Sequence, residues 1–346
     1  MAARFSWAAV IILLALLLPP DSICCELSYA FSDDPKEAPD MPAIQLIFAT
    51  YIETEAELGN VCLLAESIRT FGGRAADAPV WVMMPDGLAV TDTTTQKRLR
   101  SLKVEVFTCG SPEEPRWLYY SFKPYAAAKA ETLAEGIAAV LIWMDNDAVF
   151  LGEPSEFFLA SGKALGYRPI MHNRSGTLKA QPPSEFWGRI YERLALTEEE
   201  LFPMVTSADH QTVRAYFNCG LIVVRPEKGI LRRWPVDFEA LYRDSVLAAS
   251  CRADVEKRIF LHQTALTGLL NIVPRETMVE LSDGYNYPIF FDRVFGADHP
   301  FNSIQDAIMI RRIDGPLKAA GPDWHKELIG PPDKIAWLKE RLSGAP

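Results

Sequence analysis

The sequence predicts an α/β fold: a mostly parallel central sheet with helices on both faces, built as a single continuous domain. Three observations predict it. Four apolar runs in the first half lack the polar alternation of a half-exposed strand, so they suit strands buried on both faces. The segments between them follow helical spacing, and alternation of strand with helix implies parallel strands. No linker-like change of composition divides the two halves.

Ile44 to Thr50 (IQLIFAT) is the first strand. Thr54 and Glu57 then form a capping-box pattern. Leu58, Val61, Cys62, Ala65, Ile68 and Phe71 continue at helical spacing until Gly72-Gly73 stops them. Val80 to Met84 (VWVMM) is the second strand, ended by Pro85-Asp86-Gly87. Gln96 to Leu102 is a short helix, and Val104 to Thr108 the third strand. Ser121 to Glu135 is a helix with Gly136 in its C-terminal cap position. Ala138 to Trp143 (AAVLIW) is the fourth strand. In the second half Ala164 to Tyr167 and Gly220 to Val224 read as strands. Glu185 to Leu194, Val236 to Leu247 and Arg258 to Leu270 read as helices. From Tyr285 onward the pattern is loop, aromatic and Pro-rich.

Composition bounds the function. The chain has 346 residues, 49% hydrophobic and 23% charged, which excludes a mainly disordered chain, a fibrous repeat and a polytopic membrane protein. Forty-five acidic against 35 basic residues give a net charge of −10, which argues against nucleic acid as a partner. That balance suits a small substrate, or a metal bridging acidic side chains to an anionic one. At this length a core needs no disulfide staples.

The N-terminus reads as an export segment. Arg4 is the only charge before Asp21, and Trp7 to Leu18 is an apolar run of 12 residues, ended by Pro19-Pro20. A membrane span needs about 20 residues, so the run suits a signal h-region. Ser28 and Ala30 place small residues for cleavage after Ala30; a short uncleaved anchor is the alternative. In either case the body is translocated. Residues 1–30 are thus signal or anchor, 31–43 a polar linker, 44–320 the domain and 321–346 a C-terminal tail or helix. Cys62, Cys109, Cys219 and Cys251 contain no CxxC pair, and their pairing is open among three connectivities. Asn173-Arg174-Ser175 is an N-glycosylation sequon.

The sharpest feature follows the fourth strand: Met144-Asp145-Asn146-Asp147. Ligands of open α/β sheets bind beyond the carboxyl ends of the strands. Two carboxylates one residue apart on a turn can share a hard cation such as Mn²⁺ or Mg²⁺, which also takes diphosphate oxygens.

The segment IWMDNDAVFLGEPSEFF resembles the metal-binding segment of GT-A glycosyltransferases. Tyr216-Phe217-Asn218-Cys219-Gly220 with the strand after it resembles the FNxG element of retaining glycosyltransferase family eight. His262-Gln263 stands where that family has Asp-Gln, Tyr285-Asn286-Tyr287-Pro288 resembles its YN turn, and Gly315-Pro316-Leu317-Lys318 the end of its HxxGxxK element. The five occur in the family's order between about Ile44 and Lys318. The histidine of HxxGxxK, a third metal ligand, falls on Arg312, which cannot ligate a cation. Arg311 or Arg312 could touch a diphosphate instead.

The resemblance implies transfer of a sugar from a nucleoside-diphosphate donor, UDP-linked first, to an acceptor hydroxyl on a glycan, protein or lipid, with retention and with Mn²⁺ or Mg²⁺. It implies Asp145 and Asp147 as metal ligands, with Asp145 and Asn146 also on the nucleotide. Thr50 and Tyr51 would meet base and ribose, the tyrosine face offering a surface for uracil. Lys123 or Lys129 would be the basic residue of the helix before the acid pair, and Arg312, Gly315 and Lys318 would meet the diphosphate. Asn218 and Gln263 would form a neutral polar face beneath the anomeric carbon, and His262 would join them as a catalytic candidate. Asp209 lies near Asn218 in sequence.

Other classes share parts of this pattern. Asp145-Asn146-Asp147-Ala148-Val149 also fits the DxDx[TV] pattern of haloacid-dehalogenase-type phosphatases, although three strands precede it and no later acidic motif follows. A sugar-1-phosphate nucleotidyltransferase would want a Gly-rich loop after the first strand, and Ala49 to Glu53 has none. An exported, non-catalytic carbohydrate-binding protein on a transferase scaffold would accommodate Arg312 and His262. Localisation follows the host: a Golgi or endoplasmic reticulum lumen in a eukaryote. In a bacterium it is an uncleaved anchor or a donor other than a soluble nucleotide sugar.

Overall fold

Apolar side chains at every position of a strand can be buried only if both faces of the sheet are covered. β1 (Ile44–Tyr51), β2 (Val80–Pro85) and β4 (Ala138–Met144) meet that condition; β3 (Val104–Cys109) is a half-exposed edge strand, and the four lie parallel in the order β4-β1-β2-β3. In the computed structural model, which describes residues 44–342, three further strands extend the sheet beyond β4. They are β6 (Leu165–Pro169), β9 (Phe217–Val224) and β10 (Met278–Glu280), giving seven strands ordered β10-β6-β9-β4-β1-β2-β3. β9 runs antiparallel to both neighbours and every other pairing is parallel, so the sheet is mostly parallel as predicted. The export segment, the linker and residues 343–346 lie outside the described residues.

Helices cover both faces. α1 (Leu58–Phe71) follows a short 3₁₀ turn opened by the predicted capping box, in which the Glu57 carboxylate accepts from the Thr54 backbone N–H at 2.9 Å. It packs Val61, Leu64 and Ile68 with Val140, Ile142 and Met144. On the opposite face α3 (Lys123–Ala134) presents Ala126, Ala127, Ala130 and Ala134, with Leu141 and Trp143 in the same core. These small residues let α5 (Ile230–Tyr242) come close, bringing Trp234 and Phe238 into that core. α3 gives way to β4 through Gly136 at φ +76°, a left-handed turn that suits glycine. α2 (Thr93–Ser101) and α4 (Glu185–Arg193) are peripheral, as is the hairpin of β7 (Pro203–Val205) and β8 (Thr212–Arg214).

Three expectations in the second half are corrected. The helix read over 236–247 is two helices: α5, which holds Pro235 within it, and α6 (Ser245–Ala253). Asp244 separates them because its carboxylate accepts from the Val246 and Leu247 N–H groups at 3.0 and 3.1 Å, capping a new helix. The helix read over 258–270 is α7 (Val255–Thr264), capped by Asp254, followed by 3₁₀ turns over Ala265–Asn271. The segment after Tyr285 is not only loop. β5 (Ala148–Phe150), β11 (Tyr287–Pro288) and β12 (Met309–Arg311) form a small second sheet. α8 (Asp292–Phe295), α9 (Asp314–Ala319) and α10 (Pro332–Leu342) complete the chain, and α10 buries Leu338 and Leu342 with Leu63, Val149 and Ile310. The four cysteines are buried and unbonded. No described helix is long and apolar enough to cross a membrane.

Candidate active site

Three pieces of chain converge at the carboxyl end of β4. The first is the acid pair itself. The second is the start of β9, which antiparallel pairing lays alongside, with the Asp145 N–H donating to the Gly220 carbonyl at 3.1 Å. The third is β12, whose pairing with β5 sets Arg311 opposite Ala148, one residue beyond Asp147. The N-terminal turn of α3 supplies Lys123 from below.

The charges interlock. Lys123 Nζ is ion-paired with Asp145 Oδ1, and Arg311 Nη2 lies 2.7 Å from Asp145 Oδ2. Arg311 Nε also donates to Asp147 Oδ2 at 3.3 Å, so one guanidinium spans both acids. Burial alone would raise the Asp145 carboxyl; Lys123 and then Arg311 outweigh it and hold Asp145 below its ordinary value. Burial would lower Lys123, but the Asp145 carboxylate raises it, so the ammonium keeps its charge. Asp147 is raised, mainly by burial, with the Arg311 cation and the Asp145 carboxylate pulling in opposite directions. Asp147 Oδ1 is buried with no hydrogen-bond partner.

Asn146 faces away from this pair. Its amide donates to the Tyr51 carbonyl at 2.9 Å and to Glu57 Oε1 at 3.2 Å, and its oxygen accepts from Asn60. It therefore ties the acid turn to β1 and α1. Arg312 is buried and donates to Asn60 Oδ1 at 2.7 Å, while its backbone N–H donates to the Asp147 carbonyl. Successive strand residues point to opposite sides. Arg311 is the arginine that meets the acids, and Arg312 buttresses their turn.

The floor is neutral. Asn218 Oδ1 accepts from the Gly220 N–H at 2.9 Å, and Gln263 Oε1 accepts from the Cys219 N–H at 3.2 Å. Both amides are buried and both shape the start of β9. His262 lies beside them, 3% exposed. The Ile259 carbonyl 2.8 Å from its Nδ1 can only accept, so Nδ1 carries the hydrogen. Nε2 then faces Cys219 Sγ at 3.4 Å as an acceptor. Burial, reinforced by Lys123, pushes His262 down to about 3, and the imidazole is neutral in ordinary buffers. Burial raises Cys219, which stays a thiol and accepts from Lys123 Nζ at 3.3 Å.

Several expectations need correction. Tyr51 does not offer an open face: its ring stacks on Trp143 at 5.8 Å and lies 5.7 Å from Lys123 Nζ. Thr50 is fully buried, with its hydroxyl lacking a partner. Lys123, not the exposed Lys129, is the basic residue at the pair. Gly315 and Lys318 are exposed on α9, and neither is bonded to the acid pair. Asp209 is bonded to Thr206 and to the Asn173 N–H, with His172 at 3.5 Å, and serves that loop. Sequence reasoning gave the diphosphate to Arg312 with Arg311 only as an alternative, whereas Arg311 is the one at the acids, and it missed Cys219; an apolar-looking cysteine inside FNCG carried no signal for a buried polar contact.

The residues do not fit a resident divalent cation. Arg311 holds Oδ2 of both acids and Lys123 holds Asp145 Oδ1, leaving one unclaimed carboxylate oxygen, on Asp147. Among the described residues no group of three His, Cys, Asp or Glu side chains could hold a metal. Mn²⁺ and Mg²⁺ can be held by one or two carboxylates together with substrate phosphates, but only by carboxylate oxygens that are not already paired with fixed cations, as three of these four are.

At β11 lies a cavity of about 270 Å³, lined by Arg168, Thr206, His210, Asn286, Tyr287 and His299 among others. Asn286 is 3% exposed, sits at φ +56°, and leaves both amide atoms without partners. His210 and His299 stack on each other in its wall, with ring centroids 5.6 Å apart.

No curated protein matches the chain. Solved structures resemble it at low identity. Galactosyltransferase LgtC in complex with donor and acceptor sugar analogs is 12% identical, with 86% of this chain and 100% of that chain covered and a TM-score of 0.43. An active-site mutant of LgtC gives 12%, 86%, 100% and 0.44. Mouse xyloside xylosyltransferase 1 in its apo form gives 13%, 79%, 99% and 0.42. A family model described as the Rhodobacterales glycosyltransferase domain matches residues 52–271, the stretch that carries the acid pair and its amide floor. The chain belongs to that family of glycosyltransferases.

Proposed function

We propose that the protein moves a hexose from a nucleoside-diphosphate donor, with UDP the first base to test, to an acceptor hydroxyl with retention at the anomeric carbon. The observation that supports this most is the placement of three cations, Lys123, Arg311 and Arg312, around an acid pair beside a neutral amide floor. The fixed Arg311 guanidinium with Lys123 behind it presents positive charge beside the pair, which suits an arriving diphosphate.

In the reaction the bond between the anomeric carbon and the phosphate oxygen breaks, and negative charge grows on the diphosphate. Arg311 Nη1, with no hydrogen-bond partner among the described residues, supplies fixed donors toward that charge. The acceptor oxygen bonds the anomeric carbon on the same face, and its proton passes to the departing phosphate oxygen. Asn218 and Gln263 hold the floor, and neither is a base. The acids nearby are ion-paired and Asp209 is committed to its loop, so a same-face course needs no protein carboxylate. The cavity lined by Arg168, His210, Asn286, Tyr287 and His299 would take the acceptor, its polar side chains suiting sugar hydroxyls. Export or anchoring by residues 1–30 is part of the same proposal, tested by protease protection of the body in intact cells.

The test is calorimetric binding of UDP, GDP and CDP to the full chain, followed by release of the bound base's diphosphate from its hexose conjugates. One base binding well above the others, with turnover of a hexose conjugate, supports the reading. A folded sample that binds none of the three sinks it.

A further inference from the structure

We infer that the Arg311 guanidinium is the resident counter-cation of the Asp145–Asp147 pair, standing where the resemblance places a divalent metal ion, so that the donor diphosphate binds without metal. The inference rests on the donor-binding reading above.

The arrangement around Arg311 is built, not incidental. Its Nη2 and Nε take one oxygen from each acid, at 2.7 and 3.3 Å, so a planar fork does the bridging a metal would do. The strand pairing of β12 with β5 fixes the backbone under it, with Arg311 opposite Ala148. Space for the fork comes from Gly220. A Cβ there would lie 3.0 Å from Arg311 Nη1, 3.0 Å from Asp145 Oδ2 and 3.1 Å from Asn218 Oδ1. The glycine of FNCG thus leaves room for the ion pair to close over it.

Charge points the same way. Lys123 already neutralises one carboxylate and Arg311 the other, with Arg312 behind the turn. Adding a divalent ion would place two more positive charges within a few ångströms of the two cations already paired with these carboxylates, against a Coulomb penalty in a partly buried site. The position that would hold a third metal ligand carries Arg312, which has no lone pair to give. A guanidinium keeps its proton at any working pH, so its charge is permanent; its unused Nη1 hydrogens are available to phosphate oxygens. Arg311 is about a quarter exposed, open enough to meet a ligand and held from behind.

Two measurements on the full chain test this. The first is calorimetry of UDP, GDP and CDP in chelator and in Mn²⁺. The second is electron paramagnetic resonance of Mn²⁺ added without nucleotide. Expected for the wild-type chain are equal nucleotide affinity in both buffers and no bound Mn²⁺. Arg311→Ala should lose at least about tenfold in nucleotide affinity in chelator. It should also gain a bound Mn²⁺, because removing the fork frees Oδ2 of both acids beside the already unclaimed Asp147 Oδ1. Arg311→Lys keeps the charge but not the bridge, and should fall between the two. It also serves as the folded comparison if Arg311→Ala is unstable. Nucleotide binding by the wild-type chain that vanishes in chelator overturns the inference and leaves the transferase reading standing. So does an Arg311→Lys chain whose affinity in chelator is unchanged. No nucleotide binding in either buffer overturns both.

Discussion

One helix, α3, carries two buried charges of opposite fate. Lys123, in its first turn, reaches the acid pair, where the Asp145 carboxylate is held between two cations and pulled below its ordinary value. Glu131 sits eight residues on, about 12 Å along the same helix. It is fully buried and accepts from the Arg232 backbone N–H at 2.7 Å, with the Arg232 side chain 3.7 Å away. There burial dominates and pushes the carboxyl up to about 7. The difference teaches where function sits. Asp145 stays ionised because two cations converge on it at an edge that Arg311 and Asp147 leave partly open. Glu131 has backbone N–H donors and one distant guanidinium in a closed core, too little to offset its burial, and tends to keep its proton.

The largest break in this comparison is Lys123→Met. It strips Asp145 of one cation inside the core and leaves part of its charge uncompensated, which costs about 3–5 kcal/mol for a buried pair. The denaturant midpoint should fall accordingly. Nucleotide binding should fall with it even where the variant is fully folded. A midpoint within about 1 kcal/mol of the parent would mean that Arg311 alone satisfies Asp145.

Glu131→Gln acts in the other direction. Folded, Glu131 holds its proton up to about pH 7, and unfolded it releases it near 4.5. Between these values the native state binds more protons, so the parent loses stability as pH rises through that window. Two and a half pH units correspond to about 3 kcal/mol. The substituted amide keeps an acceptor for the Arg232 N–H and cannot ionise. The variant's urea midpoint should therefore lack this downward slope between pH 4.5 and 7, while nucleotide affinity stays as in the parent.

Much of this arrangement is legible in the sequence, and its gaps have physical causes. β1, β2 and β4 show because burial on both faces leaves unbroken apolar runs, β3 shows by its β-branched and aromatic residues at the sheet edge, and α1 shows because Thr54 and Glu57 mark its entry. The direction of β9 does not show: FNCGLIVV is equally apolar whichever way it runs, yet its antiparallel course is what lays Asn218 and Gly220 beside Asp145. β12 is three residues long, too short for a period of two to declare which of Arg311 and Arg312 faces the acids. Tyr51 looks available in the sequence because a tyrosine at a strand end can face solvent; its partner Trp143 lies on the neighbouring strand, a contact that no local pattern encodes. Pro235 suggests a later helix start, but the packing of Trp234 and Phe238 holds a helix through it.

A finer probe of the acid-pair side is Gly220→Ala. The added methyl meets Arg311, Asp145 and Asn218 at 3.0 to 3.1 Å, so each must yield by a few tenths of an ångström. Overpacking of this kind costs about 1 kcal/mol or more. Because the displaced groups are those meant for the donor, nucleotide affinity should drop about tenfold with only a small change in the midpoint. A stability loss with unchanged affinity would place the donor away from Arg311.

The smallest expected effect is at Lys318, and it sharpens the comparison from outside. The resemblance gives this lysine to the diphosphate, yet it stands exposed near the end of α9, with no ion-pair partner among the described residues. A solvated lysine on a short helix contributes at most a few tenths of a kcal/mol. If Lys123 and Arg311 already meet the charge of the donor, Lys318→Ala should leave both stability and nucleotide affinity within about twofold of the parent. A tenfold loss of affinity without a change in midpoint would mean that α9 moves onto the bound donor. In that case the neutralising set would be assembled on binding, and the fixed pair at β4 would be only half of it.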